Sequence, residues 1–381
     1  MKKLISVLSR FLLWAAFSGA AILLNHAAGA SSSILFMKYD LHLIFTILCF
    51  PFAVVFSRLF TIGAQLIAGR RCGYTLVELS AFGLGWHRSA DKGLRFGFRK
   101  PVAYFFHLET PPAYDGTSPY RLYLLCGAIP SAVLGVLALL AFALLHHIPE
   151  MLYVAFFGLG LITDALLTFL PDERLPFTLV RRLDRSLPLR RAWEHRLFIQ
   201  ANQRQRTYLT ALPEDFFHTY TEELWHDPLI FSAQHDTCSR LLSDGRYQQA
   251  HDGFTRLYAF LSQPSVKVRQ KEIELLFLTC SCALAEMLAG AEPDFSNRIN
   301  EPNIELFLSR GGWASKLLLA QYIREILITG DAAAAQRLYS AIERLPEPLS
   351  LAQRRILSDA QTLAESRIKV SDDLVRRRDS E

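Results

Sequence analysis

Polar and ionisable side chains inside long apolar segments are the first candidates for chemistry in this sequence. Arg58 lies within one such segment and Asp164 within another. An ionisable group inside a membrane span is unfavourable unless it is paired or hydrated, so each residue is a functional candidate by default. The alternative is structural, with Arg58 extending its charge to the membrane surface and Asp164 capping a kinked helix end.

A metal centre would need His, Cys or carboxylate donors at a suitable spacing. His107 and Glu109 lie together in one connection between apolar segments, and residues 146–150 hold further candidates in another. Neither group has two His at the i, i+4 spacing of a helical HExxH zinc site. The six cysteines show no disulfide framework and no paired CxxC spacing, so we expect Cys280 and Cys282 to be packed thiols. The sequence therefore predicts no metal and no other cofactor.

These candidates lie on elements that composition separates into two parts. The chain of 381 residues is apolar to about residue 170, and the remainder is polar and patterned as helices. A helix needs about 20 apolar residues to cross a bilayer. Segments of that kind occur at roughly 5–27, 41–67, 121–145 and 150–170. We expect an all-α membrane protein with about four transmembrane helices in residues 1–178, followed by a helical domain in residues 179–381.

Basic residues set the expected orientation of these segments. Lys and Arg are concentrated at 70–100 and after residue 173, whereas the other two connections hold only Lys38. By the positive-inside rule, the N-terminus, the connection at 70–119 and the C-terminal domain face the cytosol of a multi-pass protein of the cell membrane. The first segment also has the features of a signal peptide, but we interpret it as an uncleaved anchor. Its cleavage would leave the orientation of the other segments unchanged.

The cytosolic connection contains two strand-like runs, at 74–86 and 93–109. Both runs are rich in β-branched and aromatic residues, and a turn-like stretch separates them. They predict a small β-hairpin at the membrane surface. The hairpin could accept an extended peptide as an added strand. Alternatively, the region is a basic, aromatic loop that anchors at the lipid interface.

Several weak motifs follow one another in a fixed order from residue 60 onward. An apolar helix leads into a basic patch and then into an alternating run that ends at Trp86. The matching positions are Gly73-Tyr74, Pro111-Pro112-x-x-Asp115-Gly116, Tyr123-x-x-x-Gly127 with Ser131 four residues beyond, Asp172, and residues 191–217. In this order, residues from about 55 to about 217 resemble site-2-protease-like intramembrane zinc metalloproteases. The closer resemblance is to bacterial relatives that carry a soluble helical extension.

The resemblance implies an HExxH motif at residues 61–65, where this chain departs from it. Thr61 and Gln65 occupy the places of the two zinc-binding His, and Ile62 replaces the Glu that acts as general base. Ser131 stands in the place of an Asn. One carboxylate remains, Asp172 or Asp164, and one carboxylate does not hold catalytic zinc. The resemblance therefore implies a pseudoprotease that has kept the fold and lost its zinc.

In the fold of that family, the helices that bear these positions pack together. We therefore expect Arg58, Gln65, Ser131 and either Asp164 or Asp172 to form a buried polar cluster in the former active-site cavity.

The C-terminal domain contains two stretches with the same layout of small and aromatic residues. Residues 241–254 and 327–339 each place a Gly, an Ala and an aromatic residue at the same offsets. The layout resembles the helix-turn-helix of tetratricopeptide repeats, and an ordinary helical bundle is the alternative. Either arrangement offers a surface for a cytosolic protein partner. The sequence has no nucleotide-binding loop and no nucleophile motif, and we expect no nucleic-acid partner.

Three classes of function compete on this basis. The first is an inactive site-2-protease-like membrane protein that binds a peptide or membrane-protein client in the bilayer, or assists a secretion or processing system. The second is a membrane scaffold or transporter accessory whose cytosolic helices recruit a partner. The third is an active intramembrane metalloprotease with an unusual site. We favour the first because the order of motifs is kept while the zinc ligands are replaced.

Overall fold

The computed structural model describes residues 39–89, 93–99, 103, 105–148, 151–168, 175–205, 209–266, 271–299, 314–345, 349 and 351–378. The predicted first span at 5–27 and the candidate Asp172 lie outside these residues. The chain divides into two compact units, Met1–Gln205 and Arg206–Glu381. The described residues are mostly helical, and the first unit also contains a four-stranded antiparallel sheet.

Apolar helices form one part of the first unit. They are α1 (Tyr39–Arg71), α2 (Tyr120–Leu125), α3 (Ala128–Leu144) and α4 (Met151–Leu167). Gly135 on α3 faces Gly158 on α4, and a Cβ atom added to Gly135 would lie 2.7 Å from the Gly158 carbonyl oxygen. Small residues allow such close approach of two helices in a membrane. Phe56 of α1 packs against Phe157 of α4 with ring centroids 5.6 Å apart.

Two helical segments among the described residues are long and apolar enough to cross a membrane. They are Phe52–Arg71 and Tyr120–Leu144, which coincide with the predicted second and third spans. The second of these segments is interrupted by a turn at Cys126 and Gly127. Helix α4 occupies the place of the predicted fourth span, but it is a shorter apolar helix of 17 residues. The number of crossings and their orientation stay predictions.

The strands lie between α1 and α2, where a single hairpin was predicted. They are β1 (Thr75–Ala81), β2 (Leu84–Ser89), β3 (Gly93–Phe98) and β4 (Phe105–Thr110), paired in the order β3-β2-β1-β4. Each run expected to be one strand contains two. The first run folds back at Phe82 and Gly83, whose φ angles are 52° and 86°. Glycine adopts this left-handed conformation without steric cost, which makes a tight turn possible in an otherwise strand-like run.

Two helices beyond the apolar region complete the first unit, α5 (Pro176–Arg185) and α6 (Leu187–Gln205). Helix α6 covers one face of the sheet, where Ala201 packs against Val77 and Leu108. We expected the domain boundary after residue 178, whereas the structure divides after residue 205. The difference is that α5 and α6 belong to the first unit. Their helical pattern resembles that of the second unit, whereas their packing partners belong to the first.

The second unit contains helices throughout its described part. They are α7 (Pro228–Ser243), α8 (Tyr247–Ser262), α9 (Lys271–Ala289), α10 (Phe295–Arg298), α11 (Ala314–Arg324), α12 (Ala332–Glu343) and α13 (Leu351–Arg378). Gly245 and Gly330 have left-handed φ angles in the turns before α8 and α12. The alanines that follow them, Ala250 and Ala335, are buried. The two stretches therefore share a turn and a helix start, while the repeat assignment stays a prediction.

The cysteines of the second unit are buried and form no disulfide bonds. Cys280 and Cys282 are completely buried on α9. Burial raises the pKa of the Cys280 thiol to about 11, which keeps it protonated at neutral pH. Nearby, the Lys316 ammonium lies 3.7 Å from the centroid of the Phe277 ring. Desolvation lowers the pKa of Lys316 to about 8.

Candidate functional site

A hydrogen-bonded cluster joins α1, α3 and α4 in the interior of the first unit. The Ser57 hydroxyl lies 2.8 Å from the Ser131 hydroxyl and donates a hydrogen bond of 2.6 Å to the Asp164 carboxylate. Because Ser57 has a single hydroxyl proton, the Ser131 hydroxyl must be the donor in the contact between the two serines. Ser57 is 1% exposed and Ser131 is fully buried. The three residues therefore form a directed chain from Ser131 through Ser57 to Asp164.

Close packing between α1 and the start of α3 positions this cluster. Thr61 lies one turn after Ser57 on α1, and Gly127 lies one turn before Ser131. The Thr61 hydroxyl donates a hydrogen bond of 3.1 Å to the Gly127 carbonyl oxygen. A Cβ atom added to Gly127 would lie 2.6 Å from the Thr61 methyl group, so a larger residue would separate the helices. The two contacts, one turn apart, hold the helices in register.

The structure brings some of the predicted site residues together and leaves others apart. Thr61, Ser131 and Asp164 contribute to these contacts between α1, α3 and α4. The Arg58 side chain is exposed, and Asp164 has a serine partner instead of the arginine that we expected. Ile62 and Gln65 follow Thr61 on α1, and both are partly buried. Asp172 lies outside the described residues.

Ser57 is the member of the cluster that sequence reasoning missed. The sequence does contain a pattern that indicates its role, because Ser57 and Thr61 are one turn apart and lie on the same face of an apolar helix. A serine in an apolar helix can bond to its own backbone, so it attracts less attention than an ionisable residue. Here its hydroxyl instead connects two other helices.

The donor set of the cluster does not suit a zinc centre. The cluster offers the hydroxyls of Ser57 and Ser131 and the carboxylate of Asp164, whereas catalytic zinc in proteins is held by three His, Cys or carboxylate ligands. Within the described part of the chain, no group of three or more His, Cys, Asp or Glu residues is arranged to hold a metal ion. The hydrogen bonds of Ser57 in that part also include no histidine, so the serine lacks the imidazole base of a hydrolase triad.

A second buried cluster lies at the end of α1, where the sheet meets α2. His107 and Glu109 are buried side chains on β4, with Nε2 and Oε2 3.6 Å apart. Glu109 lies directly against Gly69 of α1, so a Cβ atom at that position would displace the Glu109 carboxylate. The Tyr74 and Tyr123 rings stack with centroids 4.3 Å apart. Burial raises the pKa of Tyr74, which keeps its phenol neutral. The cluster thus joins the ends of both candidate spans to the sheet.

The loop at 111–118, which contains the Pro-Pro-x-x-Asp-Gly motif, is held by a buried carboxylate. Glu194 of α6 accepts hydrogen bonds from the backbone N–H groups of Gly116, at 2.6 Å, and Ser118, at 2.9 Å. Gly116 has a φ angle of 90°, a conformation that favours glycine. Arg191 donates to the carbonyl oxygen of Asp115. Desolvation raises the pKa of Glu194, and the hydrogen bonds from Gly116 and Ser118 oppose that shift.

No known relative decides between the functions that this geometry allows. The chain matches no protein-family model, no curated protein and no solved structure. The resemblance to site-2-protease-like enzymes therefore stays a prediction that depends on the motif order.

The Ser57–Asp164 contact predicts a measurable coupling. We expect Ser57→Ala and Asp164→Ala each to lower the free energy of unfolding by about 1–3 kcal/mol, since each leaves a buried polar partner unsatisfied. The double variant should lose less than the sum, with a coupling energy of roughly 0.5–3 kcal/mol. Unfolding of the detergent-solubilised protein by increasing sodium dodecyl sulfate measures the four stabilities.

Arg58 is the matched control for that cycle. Its side chain is exposed, and it follows Ser57 directly in sequence. Arg58→Leu and Asp164→Ala are therefore expected to be additive, although the sequence had suggested that these residues are paired. Coupling between Arg58 and Asp164, together with additivity between Ser57 and Asp164, would contradict the observed hydrogen-bond arrangement.

Proposed function

We propose that this chain is a multi-pass membrane protein of site-2-protease-like architecture that has lost its zinc and binds a peptide or membrane-protein client instead of cleaving it. The observation that carries the proposal is the Ser57–Ser131–Asp164 cluster. Ser131 stands where the family has its Asn, and Thr61 stands where it has its first zinc-binding His. Both hydroxyls make hydrogen bonds between helices, so the positions that would converge on a metal support packing instead.

The exposed surface of the apolar helices supports placement in a bilayer. Large apolar side chains on α1 and α3 are open to the surroundings; they include Phe52, Leu59, Ile67, Ile129, Val133, Leu137, Leu140 and Leu144. Water would disfavour such continuous apolar faces, whereas lipid tails match them. Arg70 and Arg71 at the end of α1 and the basic last turn of α5 support a cytosolic position for the sheet and for the following helices.

The second unit supports a role in protein binding. Its turns at Gly245 and Gly330 lead into helices with buried alanines, as paired helices of a tetratricopeptide-like array require. Its buried thiols are protonated at neutral pH and therefore poor nucleophiles. We propose that this unit recruits a cytosolic partner of the membrane-embedded client complex.

Elemental analysis of the detergent-purified protein tests the loss of zinc. We expect no stoichiometric zinc in the wild-type chain and none in Asp172→Ala. A positive control is the variant Thr61→His, Ile62→Glu, Gln65→His, which restores the two His and the Glu of the motif. Zinc in the wild type at about one per chain, lost in Asp172→Ala, would instead indicate an active metalloprotease.

Site-directed photocrosslinking in cells tests the binding of a client. A photoreactive residue at the partly buried Gln65 should give a discrete membrane-protein or peptide adduct. The same residue at Leu59, which is on the same helix and 44% exposed, should react with lipid instead. Identical adducts at the two positions, or no protein adduct at Gln65, would argue against a client in this region and favour a membrane scaffold.

A further inference from the structure

The two faces of the sheet have different environments. One face is covered by α6: Val77 and Leu108 pack against Ala201, and the Arg204 guanidinium binds the buried Glu78 carboxylate with contacts of 2.5 and 2.6 Å. The neighbours Val77 and Glu78 share this face because the pairing of β1 with β4 shifts register between Leu76 and Glu78. The opposite face of β4 meets the apolar helices. Because side chains alternate along a strand, the face that carries Leu108 cannot be the face that carries His107 and Glu109.

His107 and Glu109 identify the side of the sheet on which the candidate spans end. The His107 ring lies 6.5 Å from the Tyr123 ring, at the start of the segment Tyr120–Leu144. Glu109 touches Gly69, in the last turn of the segment Phe52–Arg71. We call this surface of the sheet the span-side face.

Strand register shows which side chains of β1, β2 and the edge strand β3 lie on the span-side face. His107 pairs with Leu79, Leu79 with Trp86, and Trp86 with Phe96, so the four side chains form one row on one face. The next row runs through Phe105, Ala81, Leu84 and Phe98. Trp86 and Phe96 therefore lie on the same side of the sheet as the ends of the spans.

The outer half of the span-side face is apolar and open. Leu84 is 51% exposed, Trp86 49%, Phe96 60% and Phe98 70%. The Trp86 and Phe96 rings meet edge to face with centroids 5.2 Å apart. A continuous exposed patch of this kind on a protein surface marks a protein or membrane interaction site.

The position of this patch and its residue types indicate that it contacts the lipid bilayer. The spans leave the sheet on the span-side face, so the bilayer that holds them lies on that side. Tryptophan and other aromatic side chains are favoured at the boundary between headgroups and acyl chains. Arg70 and Arg71, both exposed at the end of α1, supply positive charge beside lipid phosphates.

We propose that the β2–β3 hairpin rests with its span-side face in the headgroup–acyl boundary of the bilayer that holds the spans. The inference rests on the proposal that the chain crosses a membrane. In this arrangement Trp86, Phe96 and Phe98 contact lipid, and α6 covers the face of the sheet turned towards the cytosol. Docking at several points fixes the tilt of the sheet relative to the spans.

Fluorescence quenching by brominated lipid tests the contact. Full-length wild type and Trp86→Phe are reconstituted into phosphatidylcholine vesicles, with bromine near the headgroup end or near the tail end of the acyl chain. The difference between the two emission spectra isolates Trp86. We expect most of that difference to be lost with bromine near the headgroup, less with bromine near the tail, and little with aqueous iodide.

Two controls separate this inference from the proposal of a membrane protein. Trp225→Phe removes a tryptophan that is 4% exposed in the second unit, and its difference spectrum should be insensitive to brominated lipid. Flotation of the vesicles after a carbonate wash reports whether the chain is integral to the membrane. If the protein does not float, the membrane proposal fails. If it floats and Trp86 is quenched by iodide, or by neither reagent, the face lies against water or protein and the lipid-docking inference is wrong.

Discussion

Gly135→Val is expected to lower the stability of the first unit by about 1–3 kcal/mol or more, because it overpacks a helix contact that has no room for a side chain. A Cβ atom at Gly135 would lie 2.7 Å from the Gly158 carbonyl oxygen and 2.6 Å from a side-chain carbon of Ile162. The oxygen belongs to the backbone of α4, so relief requires the two helices to separate. Unfolding of the detergent-solubilised protein by sodium dodecyl sulfate measures the loss.

The matched control for Gly135 is a second glycine in an apolar helix of the same unit. A Cβ atom at Gly63 of α1 would meet no atom within 4 Å. Gly63→Ala is therefore expected to be neutral or to stabilise the helix by roughly 0.5–1 kcal/mol, since alanine loses less backbone entropy than glycine. Equal effects of Gly135→Val and Gly63→Ala would show that α3 and α4 are not packed through Gly135 and Gly158.

Arg204→Met is expected to destabilise the sheet region by as much as about 3–5 kcal/mol, because it removes the two shortest contacts of a buried carboxylate and leaves it the Ser80 hydroxyl and a more distant cation. The Glu78 side chain is 2% exposed, and Arg204 donates to both of its oxygens. The remaining cation, Arg99, lies 3.9 Å away. Hydrogen–deuterium exchange of peptides from β1 and α6 measures the effect locally, as faster exchange in both elements.

The double variant Glu78→Leu, Arg204→Met distinguishes a buried pair from a simple loss of packing. The double variant also removes the buried Glu78 charge, which Arg204→Met alone leaves with weaker contacts, so the double variant should be closer to wild type than Arg204→Met. The control is Arg121→Met, which removes an ion pair with Asp184 in which the arginine is 69% exposed. An exposed pair contributes about 0–1 kcal/mol, so little change is expected. If Arg204→Met behaves like Arg121→Met, the Glu78–Arg204 pair does not hold α6 on the sheet.

The Glu78–Arg204 pair is connected to the candidate site through α6, the loop at 111–118 and α2. Glu78 and Arg204 hold α6 against the sheet, and Glu194 of α6 holds the loop at 111–118 that leads into α2. Helix α2 precedes Gly127 and Ser131, which face Thr61 and Ser57. A variant that weakens the packing of α6 on the sheet is therefore expected to destabilise the Ser57–Ser131–Asp164 cluster as well, through the loop and α2.

Sequence alone determined the character of the main elements. Long apolar runs predicted helices at 41–67 and 121–145, and helices occur there, because the number of consecutive apolar residues is a local property of the chain. The β-branched and aromatic runs at 74–86 and 93–109 predicted strands for the same reason. The replacement of HExxH by Thr61 to Gln65 is also a property of the sequence, and it motivated the expectation of lost zinc before any packing was considered.

Tertiary structure alone decided which side chains meet. Pairing of Asp164 with Ser57 instead of Arg58 depends on the rotation of α1 against α4, which the spacing of apolar residues does not specify to one position. The division of each strand-like run into two depends on turns such as the one at Phe82 and Gly83, and a single Gly in an alternating run is a weak signal. Helices α5 and α6 join the first unit because Asp184 of α5 and Glu194 and Arg204 of α6 find partners far away in sequence, and such contacts leave no local trace. Strand register and helix packing together place Trp86 and Phe96 on the side of the sheet where the candidate spans end.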